Sequence, residues 1–172
     1  MTHALVGASL AQVLAPGSLR HSLTYAAAVG AILPDLDVVG FRAGIAYGDL
    51  FGHRGITHSL AVACLGGLVA VYVWRRAGSR DRLLAGCCIA AAIASHGLLD
   101  ALTNGGLGVA FFAPFSAARY FFPVAPIEVS PLGVSAIFSE RGASVLMSEF
   151  VWVWWPALVI AALAILRRRR LS

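Results

Sequence analysis

Three long apolar segments, at residues 56–74, 83–102 and 150–166, limit what this chain can fold into. Each is close to the ~20 residues that a ~30 Å hydrocarbon core requires. In lipid such segments must be helices, because every backbone N–H and C=O group needs a partner within the segment. The composition agrees, with 59% hydrophobic and only 12% charged residues. The sequence therefore predicts a single all-α domain, residues 1–172, that forms a polytopic membrane helical bundle.

Two shorter apolar runs, at residues 4–15 and 22–33, precede the first long segment. Runs of about 10–14 residues are ambiguous between a buried element and a true span. We interpret the two runs as a short N-terminal helical hairpin, partly shielded by the other helices. Together with the three long segments this gives about five helices, and a long loop precedes the last of them.

The placement of arginine predicts an orientation in the membrane. Of the 13 basic residues, four lie in the linker at 75–82 and four more at 167–170. Arginine-rich segments next to spans stay in the cytoplasm, and one orientation makes both 75–82 and 167–172 cytoplasmic. The loops at 34–55 and 104–148 then face the extracytoplasmic side. Because the charges cluster beside apolar runs, we expect a multi-pass protein of a prokaryotic inner (plasma) membrane and no nucleic-acid partner.

Aspartates and histidines lie at the predicted outer helix ends, in a chain that otherwise has few of either. Ionisable groups at membrane depth are costly, so their presence indicates a functional site. Asp35 and Asp37 directly follow a helix-ending Pro34, which places two carboxylates at the outer end of that helix. A solvated helix end is the alternative interpretation of this motif.

A second group of polar residues also lies near the predicted outer ends of the helices. His53 and His58 occur in the block Gly-His-Arg-Gly-Ile-Thr-His-Ser, and His96 and Asp100 are four residues apart. An i,i+4 spacing places the last two on one helix face, which is a common way to present two metal ligands. An incidental histidine pair and a structural His–Asp hydrogen bond are the alternatives. With His3, all these groups fall on the outer side, and together they predict a metal site.

The donor set contains nitrogen and oxygen without thiolate, which suits zinc and also manganese or iron. The number of carboxylates allows one or two ions. The sequence does not decide whether Asp35 or Asp37, and whether His53 or His58, is the metal ligand. No HExxH, GxSxG, P-loop or GxGxxG motif occurs, which removes the simplest zincin, serine hydrolase and nucleotide interpretations. The candidate metal ligands are His3, Asp35, Asp37, His53, His58, His96 and Asp100.

Taken in order, these motifs resemble the YdjM-like family of membrane-bound metal-dependent hydrolases. That family is in turn similar to the zinc phospholipase C and P1-nuclease superfamily of α-helical phosphoesterases. By this similarity His96 and Asp100 match an HxxxD pair with a bridging carboxylate, and His3 helps to hold a second zinc. No histidine follows Asp100, so the third zinc of the soluble enzymes is not expected. The motifs that carry the resemblance are Thr2-His3 and residues 33–37, 52–59, 95–103, 113–116 and 119–133.

The sequence and the resemblance together predict an integral membrane, metal-dependent hydrolase that cleaves phosphoester bonds of a lipid or lipid-linked substrate. The metal activates the attacking water. Whichever of Asp35 and Asp37 is not a ligand orients or deprotonates that water. Arg54, as a further catalytic candidate, and Arg119 contact phosphate oxygens, because guanidinium matches their geometry. Anchoring to lipid headgroups is the alternative for both arginines.

Two other functions fit the same residues. A non-catalytic membrane protein could use a structural metal to organise the bundle or a partner. A metal-ion carrier ranks last, because the inner halves of the long helices, at 61–74 and 83–94, lack a polar path. The oligomeric state stays open. The loop at 104–148, rich in Phe, Pro and Gly, is expected to cover the site as a lid or to lie on the lipid surface.

Overall fold

The computed structural model describes residues 1–129 and 139–170, and within these ranges the chain is a helical bundle without strands. Two isolated β-bridges, Thr103 with Ile127 and Val109 with Tyr120, are the only extended pairings there. This confirms the predicted all-α class. The five helices of the described ranges are α1 (Thr2–Leu14), α2 (Arg20–Gly30), α3 (Leu60–Val73), α4 (Ser79–Ala101) and α5 (Glu140–Arg169).

Three helical stretches of the described residues are long and apolar enough to cross a membrane, as judged by length and composition. Two of them, α4 and α5, contain the predicted spans 83–102 and 150–166 almost completely. Helix α5 begins earlier than predicted, because the side chain of Ser139 accepts a hydrogen bond from the backbone N–H of Gly142 and caps it. The three stretches are Gly17–Ala43, Ser79–Ala101 and Glu140–Arg169.

The third long stretch is not the one that the sequence indicated. The predicted span 56–74 is divided into a 3-10 turn, Ile56–His58, and the 14-residue α3, because Ser59 caps α3 by accepting from the N–H of Val62. Gly17–Ala43 is the long stretch instead. Helix α2 ends before Pro34 as predicted, but Pro34 then occupies the first turn of a 3-10 helix, Leu33–Ala43, where its missing N–H is no loss.

Small residues bring the helices of the bundle close together. Helix α1 packs on α2, α4 and α5, and α3 packs on α4. A Cβ atom built on Gly67 of α3 would lie 2.9 Å from the carbonyl oxygen of Gly86 in α4, so the two backbones meet directly. Such close approach is typical of membrane helices, which gain contact energy from packing rather than from hydrophobic burial. Buried alanines occupy the other crossings, at Ala11, Ala27, Ala63, Ala85 and Ala92.

Large apolar side chains point outward instead. Leu68 and Tyr72 of α3 are 66% and 67% exposed, and Leu163 of α5 is 60% exposed. A water-soluble bundle would present polar residues at such positions. Small residues inside and large apolar residues outside are the arrangement expected of a bundle that packs against lipid.

The described part of the predicted outer loop, 104–129, packs on the segment between α2 and α3. The backbone N–H of Ala110 donates to the carbonyl of Arg54, and that of Leu60 donates to the carbonyl of Phe111. Residues 130–138, which include the end of the last resemblance motif, lie outside the described residues. The two loop segments together close one end of the bundle, and that end holds the site.

Candidate metal centre

All seven predicted ligands lie at this one end of the bundle, although they come from separate elements of the chain. Asp35 and Asp37 belong to the 3-10 helix Leu33–Ala43. Three others lie at helix ends. His3 lies in the first turn of α1, and His96 and Asp100 lie in the last turns of α4. His53 and His58 precede α3, in the block rich in glycine.

The middle of the site consists of three histidines and two carboxylates. Asp100 Oδ2 lies 3.4 Å from His58 Nε2 and 3.7 Å from His96 Nε2. Asp35 Oδ1 lies 3.2 Å from His96 Nε2 and 3.9 Å from His58 Nε2. The other oxygen of Asp100, Oδ1, is 3.7 Å from His3 Nε2. We call these five residues the central cluster.

The distances in the central cluster fit a divalent metal. Most of them are too long for hydrogen bonds. With metal–ligand distances of about 2.0–2.2 Å, the ligands of a tetrahedral site lie about 3.3–3.6 Å apart. The Nε2 atoms of His58 and His96 are buried and have no hydrogen-bond partner among the described residues. A buried polar atom without a partner is costly, and a bound metal ion would remove this cost. Nitrogen and oxygen donors without thiolate suit zinc, manganese or iron.

Asp37 holds two histidines from the side away from the central cluster. Its Oδ1 lies 2.7 Å from Nδ1 of His53, and its Oδ2 lies 3.2 Å from Nδ1 of His58. The hydroxyl of Thr57 donates to the same Oδ2 at 2.6 Å. The Asp37 side chain is only 2% exposed. Carboxylates commonly orient metal-binding histidines through the second ring nitrogen, and Asp37 has the geometry for this role.

His96 is oriented by a backbone group. Its Nδ1 donates to the carbonyl of Ala31, at the end of α2, over 2.7 Å. This bond requires the proton on Nδ1, which leaves Nε2 free to bind a metal. The ring is fully buried and stacks on that of His3, with centroids 3.7 Å apart and planes inclined by 15°.

The structure therefore distinguishes the two members of each pair, Asp35 from Asp37 and His53 from His58, by their positions. Asp35 faces the Nε2 side of the histidines, whereas Asp37 faces their Nδ1 side. A 3-10 helix has three residues per turn, so residues two apart project in different directions. His58 belongs to the central cluster, while His53 lies at its edge. His53 forms a second candidate set with Asp35 and His58, whose ligand atoms lie within 4.8 Å of one another.

The electrostatics around His58 favour positive charge at this point. Burial alone would lower the pKa of the imidazole, but the side chains of Asp100 and Asp37 raise it above its ordinary value. A divalent cation at Nε2 would interact with the same carboxylates. Arg54 adds a further positive charge, because its Nε lies 3.2 Å from Asp100 Oδ2.

A cavity of about 510 Å³ opens onto the central cluster. His3, Asp35 and Asp100 form part of its wall. Glu128 and Glu149, which the sequence analysis did not select, also line it. Glu149 could have been found from its position, since it is an acidic residue beside a long apolar segment, where ionisable groups are rare.

Comparison with known proteins identifies a family of membrane proteins, as the apolar helices indicate. The family described as YdjM inner membrane protein matches residues 1–171. The chain belongs to the YdjM family. It is 37% identical to the inner membrane protein YbcI of Escherichia coli (strain K12) over 169 residues, or 98% of each of the two chains. No solved structure matches the chain.

Membership of the YdjM family confirms that this is a membrane protein. It also confirms the coarse part of the resemblance, since the family is the one that the motifs indicated. Metal dependence, hydrolysis and the similarity to zinc phospholipase C stay predictions, and so do the multi-pass topology and the side of the membrane that the site faces.

Within this YdjM protein, Arg54 holds Asp100 in place. It is buried, and its backbone φ of 60° lies in the left-handed region that side chains rarely adopt. Its guanidinium donates to the carbonyls of Gly105 and Leu107 and to the hydroxyl of Thr103. Arg54 lines the cavity, but most of its donors are used by the protein itself. Its contact with phosphate, and its catalytic role, stay predictions.

Arg119 connects the two loop segments that close the site. Its guanidinium donates to four backbone carbonyls, those of Tyr47, Asp49, His53 and Gly108. Arg119 is absent from the described residues that line the cavity. A phosphate contact by Arg119 stays a prediction, and the described geometry instead gives it the task of joining loop 104–129 to the segment that carries His53.

Proposed function

We propose that this protein is an integral membrane, metal-dependent hydrolase that cleaves phosphoester bonds of a lipid or lipid-linked substrate. The observation that carries the proposal is the grouping of three histidine Nε2 atoms and two carboxylates beside a cavity. Two of these nitrogen atoms, in His58 and His96, are buried without a hydrogen-bond partner among the described residues. A metal ion is the group that satisfies such a set of donors.

The central cluster would hold the ion, with zinc as the first candidate and manganese or iron as alternatives. When bound, the metal supplies Lewis-acid polarisation of the phosphoryl oxygens and lowers the pKa of water. The ligand atoms also fall into two sets, which accommodates either one or two ions. These sets are His3, His96 and Asp100, and Asp35, His53 and His58.

With a single ion held by His3, His58, His96 and Asp100, Asp35 is not a ligand, and it is then better placed than Asp37 to accept a proton from the attacking water. The oxygens of Asp37 are taken up by His53, His58 and Thr57. The side chain of Asp35 is 47% exposed and lines the cavity. In the proposed reaction the water oxygen bonds to phosphorus as the bond to the leaving oxygen breaks. Asp35 takes the proton from water and returns it to the leaving oxygen.

Apolar groups around the cavity support a lipid as the substrate. Val38, Leu99 and Ile127 line it beside the polar residues. At the same end of the bundle, Phe51 and Phe115 are 63% and 90% exposed. Exposed apolar surface of this kind fits contact with lipid, and a cavity lined by both polar and apolar side chains fits an amphiphilic substrate.

The position of the arginines supports a site on the extracytoplasmic side of a multi-pass protein. The central cluster lies at the C-terminal end of α4, whereas Arg80 and Arg82 lie in its first turn. Helix α5 places Glu149 in its N-terminal part and Arg167 in its last turn. The arginine-rich ends, which are retained in the cytoplasm, are therefore opposite to the site.

The alternative is a non-catalytic membrane protein with a structural metal. The observation that favours it is the size of the central cluster, because five donors can saturate a metal and leave no open position for water. In this case the ion would join α1, α4 and the loop segments, and the cavity would have no chemical role.

Phospholipid hydrolysis separates the two functions. The full chain, purified in detergent, is added to vesicles of phosphatidylethanolamine and phosphatidylglycerol, and release of phosphorylated headgroup is measured with and without a chelator. We expect release that the chelator abolishes and that His96→Ala and Asp100→Ala lack. His21→Ala, which changes an exposed histidine away from the site, serves as the matched control. A metal-loaded protein that leaves phospholipids and simple phosphodiesters intact supports the structural alternative.

A further inference from the structure

His3 differs from the other two histidines of the central cluster in how its ring is held. His58 is fixed through Nδ1 by Asp37, and His96 through Nδ1 by the carbonyl of Ala31. The Nδ1 of His3 is buried and has no hydrogen-bond partner among the described residues. Metal-binding histidines almost always use their second nitrogen for orientation. His3 therefore needs another means of orientation, and stacking on His96 supplies only part of it.

The residue before His3 is anchored to the last helix. The hydroxyl of Thr2 donates to Glu149 Oε2 over 2.6 Å, and the indole N–H of Trp154 donates to the same hydroxyl over 2.8 Å. Thr2 is 7% exposed, so these bonds form in a region of low dielectric, where chained hydrogen bonds strengthen one another. Met1, at the N-cap of α1, gives no side-chain cap, and the contact with α5 holds this first turn instead.

A local change in helix type allows both residues of α5 to reach Thr2. In a regular α-helix, residues five apart project about 140° from each other around the axis. Between Glu149 and Trp154 the chain forms a π-helical turn, Phe150–Trp154, and the N–H of Trp155 donates to the carbonyl of Phe150. This wider turn brings Glu149 and Trp154, which are five residues apart, closer to the same face of α5. Turns of this kind occur frequently at functional sites.

We propose that Thr2, Glu149 and Trp154 position His3 as a metal ligand, so that the last helix completes the central cluster. This inference rests on the proposed metal-dependent function. The three residues act through His3 and are positioning residues. The same role explains why an ionisable side chain, Glu149, stands directly before the long apolar segment 150–166.

Cobalt binding to the full-length protein tests the proposal without an assay of activity. Visible absorption of bound Co²⁺ depends on the number and type of ligands, and a titration gives the dissociation constant. Thr2→Val removes the hydroxyl at nearly constant shape. We expect it to weaken Co²⁺ binding by about 10–100-fold and to change the spectrum toward that of His3→Ala. Thr2→Ser, which keeps the hydroxyl, should stay close to wild type.

Two further variants keep the test informative. Trp154→Phe removes one of the two hydrogen bonds of the Thr2 hydroxyl and should weaken Co²⁺ binding by about fivefold. It can serve as the test variant if Thr2→Val does not fold. Thr24→Val is the matched control, because the Thr24 hydroxyl also joins two partners, Gln12 and the carbonyl of Arg20, away from the central cluster. We expect wild-type binding in this variant.

The outcomes distinguish this inference from the function on which it rests. If Thr2→Val and Trp154→Phe both bind Co²⁺ with the affinity and spectrum of wild type, the positioning role is overturned and the metal-dependent function stands. If the wild-type protein does not bind Co²⁺ or Zn²⁺, the proposed function is overturned and the inference with it. Weakened binding in Thr2→Val together with wild-type binding in Thr2→Ser and Thr24→Val supports the positioning role.

Discussion

Asp37 lies directly behind His58, with its Oδ2 at 3.2 Å from Nδ1 of the imidazole. The opposite nitrogen of the same ring, Nε2, faces Asp35 and Asp100. The His58 ring is therefore placed between one carboxylate on its Nδ1 side and two carboxylates on its Nε2 side, where the proposed metal would bind. This relationship assigns different tasks to two aspartates that are two residues apart in the sequence.

Replacing Asp37 should weaken metal binding without removing a ligand. In Asp37→Asn the amide can donate where the carboxylate accepts, which disturbs the tautomers of His53 and His58. We expect the dissociation constant for Zn²⁺ to rise by about 10–100-fold, as measured by competition with a chromogenic chelator. The exposed Asp49, changed to Asn, is the matched control. Unchanged affinity in Asp37→Asn would remove the assignment of Asp37 as the orienting carboxylate.

Arg54→Lys should destabilise the protein. Lysine lacks the planar fork that reaches Asp100, Thr103 and two backbone carbonyls at once, and it leaves buried acceptors unpaired. Breaking a buried charge network of this kind costs about 3 kcal/mol. Thermal unfolding of the detergent-solubilised protein measures the effect, with the exposed Arg42→Lys as a control. Equal melting temperatures for Arg54→Lys and wild type would contradict the structural role of Arg54.

The crossing of α3 and α4 should not tolerate even one added methyl group. A Cβ on Gly86 would lie 3.0 Å from the carbonyl oxygen of Gly67 and would also meet the side chain of Val71. We expect Gly86→Ala to lower the free energy of unfolding by about 1–3 kcal/mol. A Cβ on Gly78 has nothing within 4 Å, so Gly78→Ala is the control. The two helices are not in direct contact if both variants melt like wild type.

Metal stabilisation should increase with pH. The pKa of His58 lies above its ordinary value of about 6.5, because Asp100 and Asp37 outweigh the effect of burial. Without metal, the protonated ring stabilises the fold at low pH, and this contribution is lost as pH rises through the raised pKa. With metal, protons compete for Nε2 at low pH. The melting temperatures of metal-loaded and chelator-treated protein should thus differ more at pH 8 than at pH 6; a larger difference at pH 6 would contradict this.

The sequence predicted which histidines and aspartates lie together at one end of the bundle better than it predicted how they are arranged there. Helical periodicity placed His96 and Asp100 on one face, and the distribution of arginine placed all seven candidates on one side. The separate tasks of Asp35 and Asp37 depend on an 11-residue 3-10 helix, Leu33–Ala43, which is longer than such helices usually are. Sequence patterns did not indicate a helix of this type at that position.

Two other features were beyond the reach of pattern alone. Ser59 divides the predicted span 56–74 by capping α3; by residue type Thr57 and Ser59 both fit a helix start, so the sequence does not choose between them. The link between Thr2 and Glu149 joins residues 147 positions apart. It depends on the π-helical turn of α5, and no spacing in the sequence marks that turn.

The metal content of the purified protein decides whether the histidines and aspartates at the end of the bundle form a metal site. Elemental analysis is performed on wild type, His96→Ala and Asp100→Ala after purification in detergent and after reloading with zinc, manganese or iron. We expect one or two equivalents of a divalent metal in wild type and a loss of that metal in both variants. If wild-type protein stays free of metal after reloading, there is no metal site, and the histidines and aspartates form a hydrogen-bonded network instead.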